Sequence, residues 1–177
     1  MGQVATPDLL PQLTARFGDA VKPAVRYPAR DGIQALEVPA ERVVEILTCL
    51  RDETEPRFEQ LTSVTATDEK PETPRFRVVY HLYAMATNTR LRLIARVAAE
   101  TATAPCAIDS ATPVYPGANW QEREAFDMFG ITFTGHPELK RILMPDGYGH
   151  HPLRKEFPLR GIEPERLYRE WDRSRKA

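Results

Sequence analysis

The chain has 177 residues and a formal net charge of −1, enough length for a hydrophobic core plus an appendage and too little positive charge to suggest nucleic-acid binding. Its two cysteines, Cys49 and Cys106, are far apart, so the clustered thiolates that iron–sulfur or structural zinc sites need are missing. No window approaches 18 consecutive apolar residues and the opening MGQVATPDLL has no secretory pattern, so a cytoplasmic protein is expected, held at a membrane only through another chain.

Residues 6–17 predict a short amphipathic helix, with Thr6 as N-cap, Pro7 at the first position, and Leu9, Leu10, Leu13 and Phe17 on one face. Val21 to Tyr27 and Ile33 to Val38 read as two strands joined at Arg30-Asp31-Gly32, since Asp-Gly between alternating runs signals a hairpin. From Pro39 a helix follows, its stripe carried by Val43, Ile46, Leu47 and Leu50. Phe58 to Thr67, Arg75 to Met85 and Arg90 to Ala98 are strands rich in β-branched and aromatic residues. The third sends Leu91 and Leu93 one way and Arg90, Arg92 and Arg96 the other, a face read mainly as solvated and otherwise as one that meets an acidic neighbour.

Ala107 to Val114 predicts a further short strand. Asn119 is the expected N-cap of the helix WQEREAFDMFG, with Glu122 completing a capping box and Gly130 closing the helix. A charged terminal helix is expected over 164–176, with Leu167 and Trp171 on one side. Hairpins and segregated helices together predict an α+β fold. It is a two-layer domain over residues 1–133, with a mostly antiparallel or mixed sheet and few helices.

Residues 134–177 form the expected appendage, a long irregular C-terminal arm. Four prolines and four glycines between Thr134 and Ile162 forbid a long helix and leave little room for a strand. Yet Leu139, Leu143, Met144, Leu153, Phe157 and Leu159 are apolar side chains that a disordered tail would lack. The arm is also the basic part of the chain, since residues 136–177 hold 10 Lys/Arg against 7 Asp/Glu. We therefore expect it to bury apolar groups against a partner protein, with Leu143, Met144, Leu153 and Phe157 as anchors. Arg141, Arg154 and Lys155 would supply charge-assisted bonds, and Arg154→Ala would weaken assembly without changing the isolated chain's melting temperature.

The densest polar cluster is Glu122, Arg123, Glu124 and Asp127. Glu124 and Asp127 are i, i+3 neighbours, which admits a paired-carboxylate or metal half-site. The structural alternative pairs these acids with arm arginines such as Arg141 or Arg154. His136, His150 and His151 lie on the irregular arm and read as hydrogen-bonding groups that position it. No nucleophile elbow and no phosphate-binding glycine motif is present, so no catalytic, cofactor or metal residue is assigned.

The ordered run Asn119-Trp120, Glu122 to Ile131, Phe133, Gly135-His136-Pro137, Leu139, Arg141 to Met144, and His151 to Leu159 resembles the C subunit of respiratory complex I. This is the thirty-kilodalton family of proton-pumping NADH:quinone oxidoreductase. A weaker likeness runs back through Phe58-Glu59-Gln60-Leu61 and the hairpin over 75–98. Two details depart from the pattern, the additional histidine of His150-His151 and Glu156 in place of a more usual aspartate.

The resemblance implies a scaffold subunit of the peripheral arm, without catalytic residues or cofactor of its own, on the cytoplasmic side of the cell membrane. It implies packing against the large D subunit near the quinone-reaction region, with the B and I subunits nearby. NADH, FMN, iron–sulfur clusters and quinone then belong to the whole complex. Partner-binding residues carried over are Glu122, Arg123, Glu124, Asp127, His136, Arg141, Leu143, Met144, His151, Leu153, Arg154, Lys155 and Phe157. Two other readings stand beside it. One is the equivalent subunit of a ferredoxin- or plastoquinone-linked complex or a membrane hydrogenase. The other is a metal-dependent hydrolase built from Glu124, Asp127, His136 and His151.

Overall fold

The computed structural model describes residues 8–24, 31–99 and 105–162, together with Leu167, Arg169, Asp172 and Arg173. The first helix, α1 (Leu10–Phe17), is followed by the short strand β1 (Lys22–Pro23) and by β2 (Gln34–Pro39). Next come α2 (Val43–Asp52), β3 (Gln60–Asp68), β4 (Phe76–Ala84) and β5 (Thr89–Val97). The short β6 (Ala107–Asp109), α3 (Ala118–Phe129) and β7 (Thr132–Thr134) complete the order.

Five strands form one sheet in the order β1-β2-β5-β4-β3. All neighbours are antiparallel except β2 and β5, which run parallel with Leu36 opposite Leu93. The sheet is therefore mixed, and the α+β expectation is met. One face carries the core: Leu36 and Val38, Val78, Tyr80 and Leu82, and Leu91, Leu93 and Ala95 are all buried against α1, α2 and α3. Strand β3 reaches that face by an irregularity. Leu61 and Val64 are both buried although three residues apart, because the β3–β4 register shifts between Leu61 and Ser63. An inserted residue flips alternation, since the side-chain period of a strand is two.

The opposite face carries the arginines. Arg92 lies 2.8 Å from Asp31 and Arg96 3.1 Å from Glu37, so two of them meet carboxylates of this chain.

Several local expectations shift. Helix α1 begins at Leu10, with Asp8 Oδ1 accepting from the Leu10 N–H, and Pro11 falls in the first turn, where its missing N–H costs nothing. Thr6, Pro7, Tyr27 and Arg30 lie outside the described residues, as does Trp171; Leu167, Arg169, Asp172 and Arg173 are helical. Helix α3 starts two residues earlier than expected. Gly117 takes the N-cap position and Asn119 makes no cap bond, because the helix begins inside the turn that follows Tyr115. The strand predicted over 107–114 stops at Asp109. Its partner β7 is too short to show any periodicity, and the sequence predicts no strand there.

Candidate partner-docking site

Helix α3 is the element on which the arm is arranged. Its twelve residues put Ala118, Glu122, Ala125 and Met128 inward, with Gln121 bridging to the edge strand by accepting the N–H of Val64. Glu122 is fully buried. Its Oε2 accepts from Ser110 Oγ at 2.6 Å and its Oε1 from the Ala111 N–H at 2.6 Å, so it pins the loop after β6 instead of forming a capping box. Burial pushes this carboxyl up to about 7 against the two hydrogen bonds that favour its charged form.

Asp127, also fully buried, organises the arm. Its Oδ2 accepts from three consecutive backbone N–H groups, Ile142 at 3.0 Å, Leu143 at 2.8 Å and Met144 at 2.8 Å. Its Oδ1 receives Arg141 Nη1 at 2.5 Å. Burial alone would raise this acid; the backbone amides and Arg141 outweigh it and hold the carboxyl below its usual range. The carboxylate thus replaces the hydrogen bonds that an irregular segment cannot make to itself.

The helix end is gripped from outside. Gly130 ends α3 in the left-handed region at φ +71°, and its N–H bonds Phe126 O. A side chain here would strike Arg154 Nη2 and His151 Nε2, so the absent Cβ is what lets the arm lie against the helix end. Arg154 Nε donates to Phe129 O at 2.6 Å and its guanidinium stands over the Phe76 ring. His151 Nδ1 donates to Asp127 O at 2.9 Å, and the ring meets Phe126 edge-on. Burial, assisted by Arg154 and Arg141, pushes the His151 imidazole down despite that bond.

Arg123, His136 and Lys155 are likewise engaged within the chain. Arg123 donates to the carbonyls of Lys140 and Arg141 and lies over the Trp120 ring. His136 donates from Nε2 to Asn119 O and accepts the Glu138 N–H at Nδ1, both at 3.0 Å. The Lys155 N–H donates to Asp68 Oδ2 at 2.8 Å, while its Nζ reaches Lys70 O at 2.7 Å. Arg75 holds the same Asp68 through Nε at 2.8 Å and Nη2 at 2.6 Å, and also bonds Glu156.

The candidate set therefore splits. Glu122, Arg123, Asp127, Arg141, His136, His151 and Arg154 have internal partners, and Met144, like Leu139, packs against the core. Arg154 has an internal contact that the sequence reading does not include: its planar donor is held by a helix-end carbonyl, Phe129 O. Glu124 is exposed and Phe157 half-buried. Leu143 is 61% exposed and Leu153 54%, while Leu159 is fully exposed. The surface also includes Trp120, 63% exposed, a residue outside the predicted binding set.

Glu124, Asp127, His136 and His151 do not assemble: the two histidines bond backbone carbonyls near opposite ends of α3, and Asp127 is saturated by donors. Among the described residues no group of three or more His, Cys, Asp or Glu side chains is placed to hold a metal ion. Nor is any helix among them long and apolar enough to cross a membrane. Sequence reasoning misses Asp68, Arg75 and Glu156 as arm-binding residues, since 68–74 reads locally as an ordinary polar turn.

This geometry defines a class, an α+β chain whose C-terminal arm is clasped onto helix α3. The fold recurs in a solved chain from the membrane-bound sulfane sulfur reductase, an archaeal respiratory membrane complex. The two share a TM-score of 0.68 at 22% identity, with 93% of this chain and 89% of that one covered. The family of respiratory-chain NADH dehydrogenase 30 Kd subunits matches residues 36–163, and the chain belongs to that family. It is 45% identical over 154 residues to the C subunit of NADH-quinone oxidoreductase from Citrifermentans bemidjiense, covering 87% of this chain and 90% of the relative. It is 42% identical to a C subunit of NADH-quinone oxidoreductase from Rhizobium etli, covering 84% and 75%.

Proposed function

We propose that the chain is a scaffold subunit of the peripheral arm of a proton-translocating NADH:quinone oxidoreductase. It docks on the large D subunit near the quinone-reaction region and lies on the cytoplasmic side, with B and I as further neighbours. It reaches the membrane only through those partners. Chemistry with NADH, FMN, iron–sulfur clusters and quinone belongs to other subunits, and this chain contributes positioning.

The observation that carries the reading is the division of the arm. Arg141, His151, Arg154 and the Lys155 amide help fix the arm's path, while Leu143, Leu153 and Leu159 are left in solvent. A segment pre-ordered by Asp127 and Asp68 loses less conformational entropy on docking than a free tail would. Exposed leucines on an ordered, irregular segment have a physical use when a second surface covers them. Family membership, and relatives that carry the name of the C subunit, support the choice of complex.

Affinity purification of the tagged chain from native, detergent-solubilised membranes, with mass spectrometry and an NADH:quinone assay of the eluate, tests this. Co-elution of the D and B subunits with NADH-oxidising activity is expected. Recovery of a hydrogenase or a ferredoxin-linked set in their place would assign the chain to a sister complex. A lone chain would end the scaffold reading.

A further inference from the structure

Of the three outward arginines of β5, Arg92 and Arg96 meet Asp31 and Glu37, and Arg90 is left over. Among the described residues no carboxylate lies within 4 Å of Arg90, and its guanidinium carbon stands 6.0 Å from the centre of the Tyr83 ring. Cross-strand register sets Arg90 at the end of a row, Gln60–Tyr83–Arg90, that runs over β3, β4 and β5 on the face away from the core. The next row is Ser63–His81–Arg92. Thr62, inserted where the β3 register shifts, is what brings Ser63 onto this face, and its hydroxyl donates to His81 O at 2.8 Å.

A cleft of about 640 Å³ opens over these rows, walled by Gln60, Ser63, His81, Tyr83, Arg90 and Ile33. That is the size of a small-molecule site and far more than a bare ion fills. Its chemistry is one-sided. No Asp or Glu lines it, and the side chains of Gln60, Ser63 and His81 make no hydrogen bond to another described residue. The acid of the adjoining hollow, Asp31, is occupied by Arg92 Nη2 at 2.8 Å and by the Ile33 N–H at 3.1 Å. His81 and Arg90 are diagonal neighbours across β4 and β5. Their Cβ atoms are therefore about 7 Å apart, and both side chains can reach one group bound between them.

We propose that this cleft binds a small organic anion, whose phosphate or carboxylate group sits between Arg90 and His81. Its apolar body lies on Ile33 and Tyr83, and Ser63 and Gln60 donate to the remaining oxygen lone pairs. The planar fork of Arg90 can take two oxygens at once, and a charge-assisted bond of this kind is stronger than a neutral one. Burial, with Arg92 beside it, pushes the His81 imidazole down, and Asp31 opposes this. A bound anion works in the same direction as Asp31, so the ring takes its proton more readily when the site is filled. The residues of the cleft are not those of the arm clasp, and the site does not rest on the docking reading.

The test is a nuclear magnetic resonance titration of the isotope-labelled full chain with phenyl phosphate and with benzoate, against benzyl alcohol as a neutral probe. Saturable shifts centred on Ser63, His81, Tyr83 and Arg90 are expected with at least one of the two anions, and the His81 ring is expected to titrate at higher pH in its presence. Arg90→Gln is expected to weaken binding about tenfold, the loss of one charge-assisted bond. Arg160→Gln removes an equal charge from an exposed position of the arm and is expected to bind as the wild type does. Shifts that do not saturate, an equal response to benzyl alcohol, or the same loss in Arg160→Gln would overturn the site. This titration needs no partner, so its outcome is separate from that of the docking reading. In the purified complex, phenylglyoxal is expected to modify Arg90 unless the anion is present. Arg90 shielded with no probe added would show a neighbouring subunit over the cleft and would overturn it as a small-molecule site.

Discussion

The backbone N–H of Lys155 lies 2.8 Å from Oδ2 of Asp68, a carboxylate already gripped by Nε and Nη2 of Arg75. Arg75 is the leading cause that holds this acid far below the usual carboxylate range, and the backbone amides of Lys155 and Lys70 add to it. One side chain thus closes the β3–β4 turn and anchors the arm. Asp68→Asn leaves Arg75 without its buried counter-charge, and such a break costs about 3 kcal/mol. A melting temperature lower by roughly 8 °C is expected in the isolated chain. A change within about 1 °C would show that the anchor is dispensable.

Asp127→Asn tests the other anchor. An amide in this position can offer its oxygen to Ile142, Leu143 and Met144, but its NH2 then meets Arg141 Nη1 and the negative charge that holds the nest is lost, so the nest loosens. Hydrogen exchange at those three amides is expected to rise roughly tenfold, while the β4 and β5 amides stay protected. The folded pKa of Asp127 is depressed, so its stabilisation is complete above the unfolded value and lost as pH falls through the folded one. Acid is therefore expected to release this part of the arm early, and a nuclear magnetic resonance titration reads that directly.

Gly130→Ala combines left-handed strain of about 1–2 kcal/mol with a collision against His151 and Arg154. Limited proteolysis is expected to cut the variant within the arm under conditions where the wild type resists. Arg154→Ala is expected to lower the isolated chain's melting temperature, contrary to the sequence reading, because Phe129 O loses its donor and Phe76 its cover.

Glu122 gives a pH dependence of opposite sign. Burial raises its folded pKa to about 7, above the unfolded value, so its contribution is full below the unfolded pKa and declines as pH rises through about 7. Glu122→Gln keeps both contacts, since the amide oxygen accepts from Ala111 and the amide nitrogen donates to Ser110 Oγ. Thermal melts from pH 5 to 9 are expected to fall less steeply in Glu122→Gln than in wild type. Parallel slopes would contradict the assignment.

Much of this could be read along the chain. Strands β3, β4 and β5 and helix α2 announce themselves by period, because burial of one face imposes that period on their residues. The β6–β7 pair does not, since three residues hold no period and the pairing is set by the chain between them. The arm's apolar content is legible, and so is a pairing of α3 acids with arm arginines, which Asp127 and Arg141 make. Direction is not. Whether Arg154 faces a partner or Phe129 O depends on where Pro152 and Leu153 place the backbone, and sequence spacing carries no signal of that. Asp68 is hidden for the same reason, 87 residues from the amide that it accepts.

The central claim is that the outward leucines of the arm serve docking and not folding. The most direct measurement compares wild type with Leu143→Asp/Leu153→Asp, reading NADH:quinone activity that co-elutes with the tagged chain alongside the isolated chain's melting temperature. The account predicts an unchanged melting temperature and loss of most of the co-eluting activity. Full co-eluting activity from the double variant would contradict it.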